Sequence, residues 1–454
     1  AALKYFLQNL KPSNTPYKMI LEVIGVSNDV DVVQYLEQTF TSATPGLQLD
    51  LTLREAYFLS PDETSELVSV LENIPGLRAL ILVEANLKPK TLQPLMRGLK
   101  HMSLLEQLSL HDLWSPELAD AGMEVLQVGL DYVPHLVVLQ VDECNLTHAS
   151  MVSLAPYLGR LSRLRELHLN DNEISDSGLG SLTTVFPKFI AMRVLSLRRN
   201  GFSPAGMRTL APALGHLTGL HKLDLSCNNI GDTGVECLAG IIPCLTAMKM
   251  LRLRKTGISD KGISALVKPL AHLVELQILD VGHNIIGERG IVSLVLTFCQ
   301  PSSLDMEQNP PGDNATPQEP DSEELEATEA GQGTVSQLRT PVSKLAELYI
   351  SHDYQPTPVH LSDTAAMAVA EALPRLPALQ CLDLSEISMD AAGFKALVQA
   401  TEEHPTLREL TYTEEILPEG LDTSARSLKR SFEFKRLDWG EIDTMVHSFY
   451  ITTT

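Results

Sequence analysis

The sequence has few aromatic residues, few bases and no long apolar run. Aromatic residues make up 5% of its 454 residues and apolar residues 44%, so a core must be filled mainly by leucine and its aliphatic relatives. The 57 acids outnumber the 35 bases, for a net charge of −22, which disfavours a generic nucleic-acid binder with a basic footprint. No apolar run approaches the roughly 18 residues of a membrane span, so no membrane partner is expected.

Cysteine is sparse as well, and its spacing excludes a dense disulfide framework. No two of the cysteines form a C-x-x-C pair; they are Cys144, Cys227, Cys237, Cys244, Cys299 and Cys381. Such spacing is typical of reduced thiols and predicts a cytoplasmic location. The chain starts at Ala1 without an initiator Met or a signal-peptide pattern, which favours a processed chain or a fragment.

Motifs that carry chemistry are also missing. The sequence contains no H-E-x-x-H, paired C-x-x-C or calcium loop. The stretch "GISDKGIS", residues 257–264, is spaced like a phosphate loop but lacks the lysine before serine. We therefore predict no catalytic residue, no metal site and no cofactor, and we expect a chain that is not an enzyme.

What the sequence does contain is a repeat. The template L-x-x-L-x-L-x-x-N-x-I recurs with five consecutive steps of 28 residues between Leu136 and Leu276. The template begins at twelve positions: Gln48, Leu77, Leu105, Leu136, Leu164, Met192, Leu220, Met248, Leu276, Leu345, Leu379 and Leu407. A fixed period of this length predicts a solenoid, and this template indicates leucine-rich repeats.

Each template position has a physical role. In "LRELHLNDNEI" the leucines flank His168 with the period of two expected of a short strand. The asparagine that follows can bond the backbone groups that a tight turn leaves unpaired. This predicted turn ladder comprises Asn172, Asn200, Asn228 and Asn284, with Cys144 and Thr256 as substitutes in other repeats.

A glycine lies six residues after the ladder position and opens a stretch with helical spacing. It recurs as Gly178, Gly206, Gly234, Gly262, Gly290 and Gly393. Glycine at this point predicts a turn or a close backbone approach at the helix start. The sequence therefore predicts an α/β leucine-rich repeat solenoid, a horseshoe of about 12 repeats with a parallel β-sheet on its concave face and helices on its convex face.

Breaks in the repeat define the predicted domains. We predict a helical N-terminal cap over residues 1–46, the solenoid over 48–300 and 345–418, and a C-terminal cap or tail over 419–454. The intervening residues 301–344 are rich in Pro, Ser and acids and poor in apolar residues. Such a composition cannot bury enough surface to offset ordering, so a disordered acidic insert is predicted there.

The 28-residue strand-helix repeat resembles the ribonuclease-inhibitor class of leucine-rich repeats over about residues 48–418. At the N-terminus, "AALKYFLQNL" resembles the F-x-A-A-x-Y-L helix that NLR (NACHT-LRR) innate immune receptors carry after their ATPase, and "YKMILEVIGVSND" is similar to the short apolar helix that follows in them. The resemblance implies the C-terminal sensor region of such a receptor, with a role in ligand sensing or autoinhibition.

Two alternatives within the same repeat class are a RanGAP-like GTPase activator and a ribonuclease-inhibitor-like protein inhibitor. Ribonuclease inhibitors are much richer in cysteine. RanGAP-type proteins end in a dense acidic tail and use an arginine near the N-terminus, whereas here the acidic stretch is internal and no such arginine can be placed.

The concave face is the predicted binding surface, because strand residues between the inward leucines point out of it. Its central column comprises His168, Ser196, Asp224, Arg252, Asp280, Tyr349, Asp383 and Thr411. The predicted binding residues for an acidic protein partner are Arg198, Arg199, Asp224, Arg252, Arg254, Lys255, Asp280 and Tyr349. In the alternative interpretation Asp224, Arg252 and Asp280 only pair with one another across neighbouring strands.

Overall fold

A computed structural model of the chain describes residues 17–24, 47–54, 61–74, 76–83, 88–111, 119–299, 344–352 and 359–412. Three predictions lie outside the described residues: the helical N-terminal cap except for residues 17–24, the acidic insert except for its last residue, and the C-terminal cap or tail.

Strands and helices alternate along the chain. The strands are β1 (Tyr17–Ile24), β2 (Leu47–Arg54), β3 (Leu77–Val83), β4 (Gln107–His111), β5 (Val138–Asp142), β6 (Glu166–His168), β7 (Val194–Ser196), β8 (Lys222–Asp224), β9 (Met250–Arg252), β10 (Ile278–Asp280), β11 (Glu347–Tyr349), β12 (Val359–Leu361), β13 (Cys381–Asp383), β14 (Ile387–Met389) and β15 (Glu409–Thr411). The helices are α1 (Pro61–Leu71), α2 (Pro89–Gly98), α3 (Ala119–Leu130), α4 (His148–Leu158), α5 (Ser175–Thr183), α6 (Pro204–Leu214), α7 (Gly231–Ala239), α8 (Asp260–Leu270), α9 (Glu288–Thr297), α10 (Asp363–Ala372) and α11 (Ala391–Glu403).

One parallel sheet runs through the array in chain order. Within the described ranges it contains thirteen strands, β1 to β11 followed by β13 and β15, while β12 and β14 form a separate parallel pair. In the regular middle of the array the register advances by 28 residues per strand, so that Leu167, Leu195 and Leu223 are aligned. Each of the twelve predicted repeats contributes a strand to this sheet, and the predicted solenoid fold is confirmed.

The thirteenth strand, β1, corrects the N-terminal prediction. Residues 17–24, expected to be helical, form a strand that pairs in parallel with β2, with Tyr17 opposite Leu47. The sequence "YKMILEVI" has apolar or aromatic residues at every second position from Tyr17 to Val23, which is a strand period. The exposed edge of β2 also offers unpaired backbone groups that a parallel neighbour satisfies. The solenoid therefore begins one strand earlier than residue 48.

The hydrophobic core lies between the sheet and the helices. Leu167, Leu169 and Ile174 are fully buried, as the template predicts, and the same positions are buried in the following repeats. Each helix packs beside the next one along the array. Because packed helices are about 8–10 Å apart and strands only about 4.8 Å apart, the array curves with the sheet on its inner face.

The asparagines of the predicted ladder form hydrogen bonds between neighbouring turns. The Asn228 side-chain oxygen accepts hydrogen bonds from the backbone N–H groups of Asn200 and Phe202 in the preceding repeat, at 2.8 and 3.2 Å. Its amide nitrogen donates to the carbonyls of Leu197 and Leu225, both at 2.9 Å. Asn172 and Asn284 make the same kinds of bond. Each asparagine thus joins two turns that would otherwise bury unpaired backbone groups.

A second, acidic ladder explains several of the glycines at the helix starts. Asp260, in the first turn of α8, accepts hydrogen bonds from the backbone N–H groups of Gly287 and Gly290 in the next repeat. Asp232 accepts corresponding bonds from Ser259 and Gly262. A Cβ atom on Gly262 would lie 2.6 Å from the Asp232 carboxylate. The predicted close approach at the helix start is confirmed. The approaching atom is an aspartate oxygen at Gly206, Gly262 and Gly290, and an isoleucine side-chain carbon at Gly178 and Gly234.

Candidate functional site

The predicted central column exists as a row of aligned residues. The strand register places His168, Ser196 and Asp224 side by side, followed by the rest of the column; the later members are Arg252, Asp280, Tyr349, Asp383 and Thr411. Their exposure is uneven. The Arg252 side chain is 36% exposed, whereas Asp280 is only 9% exposed and Asp383 5%. A partner on this surface would therefore contact Arg252 far more readily than Asp280.

Asp224 and Arg252 form an ion pair across β8 and β9, with Arg252 Nη1 and Asp224 Oδ2 3.8 Å apart. The alternative interpretation of the column is thus correct for this pair. The pair is partly exposed and long, so its free energy is small, under about 1 kcal/mol. Arg252 remains available to a second anion.

Asp280 differs from its neighbours because it is buried. Its Oδ1 accepts a hydrogen bond from the Gly282 backbone N–H at 3.0 Å. Burial raises the pKa of the carboxyl to about 6, although the positive charge of Arg254 opposes that rise. Near neutral pH the residue is therefore a poorly solvated carboxylate whose charge is partly offset by that of Arg254.

Replacing Asp280 with asparagine should change the pH dependence of stability. The carboxyl of Asp280 has a pKa of about 6 in the folded protein, above the ordinary value of 3.8, so protonation of this group favours folding. The contribution of Asp280 to stability therefore rises as the pH falls from about 6 to 3.8, and it is lowest above pH 6. Asp280→Asn should therefore raise the free energy of unfolding near neutral pH, on the order of 1–2 kcal/mol, and have less effect in acid. Chemical denaturation on both sides of pH 6 measures this; an equal effect at both would contradict it.

Tyr349 lies in a different environment from the basic residues. Its hydroxyl donates a hydrogen bond to Glu347 Oε2 at 3.0 Å, and burial raises the pKa of the phenol. On the neighbouring strand, burial and the charge of Glu409 raise the pKa of the Cys381 thiol to about 12. The structure therefore separates Tyr349 from the predicted basic site and groups it with acids and a protonated thiol.

Charge on the concave face is divided into three zones. The strands β7 to β10 and the turns that follow them, residues 194–199, 222–227, 250–255 and 278–283, contain six bases and two acids. The bases are Arg198, Arg199, Lys222, Arg252, Arg254 and Lys255, and the acids are Asp224 and Asp280. The described residues of β5, β6 and their turns contain Asp142, Glu143, Glu166 and Asp171, and those of β11, β13, β15 and their turns contain Glu347, Asp383, Glu386 and Glu409. A basic zone thus lies between two acidic ones.

Four of the predicted binding residues, Arg198, Arg199, Arg254 and Lys255, lie just beyond the ends of β7 and β9. Of these, Arg199 and Lys255 occupy turn positions with left-handed φ angles of 47° and 53°. Asp171, Cys227 and His283 occupy the same turn position in their repeats, with φ angles of 53°, 59° and 53°. This turn position forms a row along the rim of the sheet, one residue before each ladder position.

A groove of about 460 Å³ opens at this rim. We call it the rim groove; it is lined by Arg199, Cys227, Asn229, Lys255, Thr256, Gly257, His283, Asn284 and Ile285. None of these described lining residues is acidic. Sequence reasoning identified Arg199 and Lys255 but missed Cys227, Asn229 and His283. The spacing of 28 residues between Arg199, Cys227, Lys255 and His283 could have indicated the row.

Other kinds of site find no support in the described part of the chain. In those ranges, no three His, Cys, Asp or Glu side chains are grouped so that they could hold a metal ion. The helices there are all too short or too polar to span a membrane.

Comparison with known proteins agrees with the repeat architecture. The Leucine Rich repeat family model matches residues 162–182 and 216–239, so the chain contains leucine-rich repeats, arranged here as an α/β solenoid. Curated proteins gave no match. Among solved structures, the chain is similar to an internalin from Listeria monocytogenes, with 17% sequence identity, a TM-score of 0.45, and coverage of 81% of this chain and 92% of the internalin chain. A likeness of this degree carries no functional implication.

Proposed function

We propose that the chain is a protein-interaction module whose concave face binds an acidic segment of a partner protein. The observation that carries the proposal is the basic zone of β7 to β10, with six bases and two acids in a protein of net charge −22. The solenoid does not need this basic zone for its stability, because the buried leucines, the asparagine ladder and the acidic ladder stabilise the fold.

The bases that a partner would meet on β7 to β9, or directly after these strands, form a compact group. We call it the concave basic cluster, consisting of Arg198, Lys222, Arg252 and Arg254. The three parallel strands that carry it, β7, β8 and β9, span about 10 Å at about 4.8 Å per spacing, which matches an extended acidic segment of about three residues. Charge complementarity of this kind speeds association and suppresses wrong partners more than it adds affinity. The flanking acidic zones would repel a partner displaced along the face.

Within this class, we further propose a sensing or autoinhibitory role like that of the repeat region in NLR receptors, and a cytoplasmic location. The resemblance of residues 1–10 to the NLR helix supports the role, and the absence of a cysteine framework supports the location. The resemblance of residues 17–24 to a second NLR helix is withdrawn, because they form β1. The open reading frame upstream of Ala1 tests this role: an ATP-binding loop there supports it, and a frame without one contradicts it.

Charge reversal in the concave basic cluster should weaken binding of acidic peptides. Panning a displayed library of random linear peptides on the chain should select peptides rich in Asp and Glu. Arg252→Glu with Arg254→Glu should reduce their affinity about tenfold or more at low salt, because two attractive contacts become repulsive.

The matched control is Lys261→Glu with Lys268→Glu. This pair makes the same change in net charge on α8, a convex helix where both side chains are exposed. The control should retain affinity within about twofold at moderate salt, since charges farther than a Debye length are screened. Equal losses in both variants, or selected peptides without acidic residues, would contradict the proposed function.

A further inference from the structure

The rim groove is a rigid feature, because its turns are fixed to one another by backbone hydrogen bonds. The N–H of Arg199 donates to the carbonyl of Ser226 at 2.9 Å, and the N–H of Lys255 donates to the carbonyl of Gly282 at 2.9 Å. Cys227 makes the corresponding bond to Arg254 at 2.8 Å. The left-handed turns therefore hold the rim backbone in fixed register, with neighbouring turns about one strand spacing apart and Arg199 and Lys255 about two spacings apart.

The two cations of the groove are poorly neutralised. Arg199 Nε lies 3.3 Å from Asp171 Oδ1, and this contact does not involve the two terminal guanidinium nitrogens. In the described ranges, no carboxylate oxygen lies within 4 Å of the Lys255 ammonium group. Both side chains are exposed. The groove therefore presents about two positive charges, and its described lining residues include no acid.

Other lining groups add hydrogen-bonding capacity between these cations. The carboxamide of Asn229 lies near Gly257, where an added Cβ atom would be 3.1 Å from Asn229 Oδ1. The imidazole of His283 stands on the next turn beyond Lys255. An amide N–H group beside two cations is a donor suited to a polyvalent anion rather than to an apolar side chain.

We propose that the rim groove binds the phosphate monoester of a phosphorylated side chain on the protein partner. A phosphate carries −1.5 to −2 charges at about neutral pH and three acceptor oxygens, so it can satisfy both cations, whereas a carboxylate carries a single charge. The planar guanidinium of Arg199 matches phosphate geometry, and Lys255 adds a point charge. The inference rests on the proposed function, because it names a group that the bound partner presents beside the concave face.

The test uses synthetic peptide libraries of one design that differ only at a fixed central residue, which is phosphoserine, serine or glutamate. Phosphoserine peptides should bind the chain about tenfold more tightly than serine peptides, and more tightly than glutamate peptides, because charge-assisted hydrogen bonds to phosphate are added. Fluorescence anisotropy measures each affinity.

Matched variants locate the effect. Arg199→Gln with Lys255→Gln should abolish the preference for phosphoserine while leaving the melting temperature unchanged, since both side chains are exposed. Lys261→Gln with Lys268→Gln, the control on α8, should retain the preference. Equal affinity for phosphoserine and serine peptides, or a preference that survives in the rim variant, would overturn the inference. If acidic peptides then still need Arg252 and Arg254 for binding, the proposed function stands although the inference about the rim groove fails.

Discussion

Gly290→Ala should lower the free energy of unfolding by about 2–4 kcal/mol, although alanine is the better helix former. A Cβ atom on Gly290 would lie 2.6 Å from Ile286 Cγ2 and closer still to the Asp260 carboxylate. Asp260 cannot retreat freely, because its Oδ1 accepts the N–H groups of Gly287 and Gly290. The substitution therefore either strains the helix start or breaks the acidic ladder. Denaturant unfolding followed by circular dichroism measures the loss.

Gly180→Ala supplies the matched control for this prediction. Gly180 lies within α5, and among the described residues no atom outside its own helix lies within 4 Å of the position that its Cβ would take. Here alanine should be neutral or should raise the free energy of unfolding, by up to about 1 kcal/mol, because it restricts the unfolded chain. If both glycines respond alike, helix propensity and not the aspartate contact governs these positions.

Asn228→Leu should destabilise the protein by about 3–5 kcal/mol, the larger of the two effects. Leucine has a similar volume but would leave the N–H groups of Asn200 and Phe202 buried without their acceptor. Carbonyls at Leu197, Leu225 and Ser226 would lose a donor as well. Thermal and denaturant unfolding of the variant measure the cost.

Asn200→Leu is the informative comparison, because Asn200 is equally buried but makes fewer bonds. Its amide nitrogen donates to the carbonyls of Leu169 and Arg198, while its Oδ1 has no hydrogen-bond partner among the described residues. We expect a loss of about 1–3 kcal/mol there. A loss at Asn228 that is no larger than the loss at Asn200 would show that the accepted hydrogen bonds contribute little.

The sequence was sufficient to predict the features that repeat. Steps of 28 residues placed the strands from β5 to β10, and the alternation around His168 identified which side chains face the core and which face outward. The ladder asparagines were predictable because a turn that recurs in a packed array must satisfy the same backbone groups each time. Strong periodicity leaves few alternatives for such positions.

The remaining features depend on contacts that the template does not encode. The strand β1 was predicted as a helix because a short apolar run is compatible with either structure; the alternation from Tyr17 to Val23 and the neighbouring edge of β2 together favour the strand. The pKa of Asp280 depends on its burial, which raises it, and on Arg254 and the Gly282 N–H group, which lower it. The rim groove is assembled from turns of four repeats, and the left-handed row from Arg199 to His283 has no glycine at its own turn position to mark it in the sequence.

The division of the concave face into zones also emerged only when strands were placed side by side. The predicted site combined Arg252 with Tyr349, which the structure assigns to zones of opposite charge. Along the chain these residues look equivalent because both occupy the central column. In the folded array Tyr349 bonds Glu347, and Arg252 is two strands away. Binding specificity would therefore come from the order of acidic and basic zones along the array.

The most direct test of the account is to map where an acidic peptide binds. An acidic peptide selected on the chain and fitted with a photo-activated cross-linking group would be irradiated in the complex, and the attachment sites would be identified by mass spectrometry. The account predicts cross-links on β7 to β10 and their turns, around Arg252 and the rim groove. Cross-links concentrated on the convex helices, or on the acidic strands β11 and β13, would contradict it.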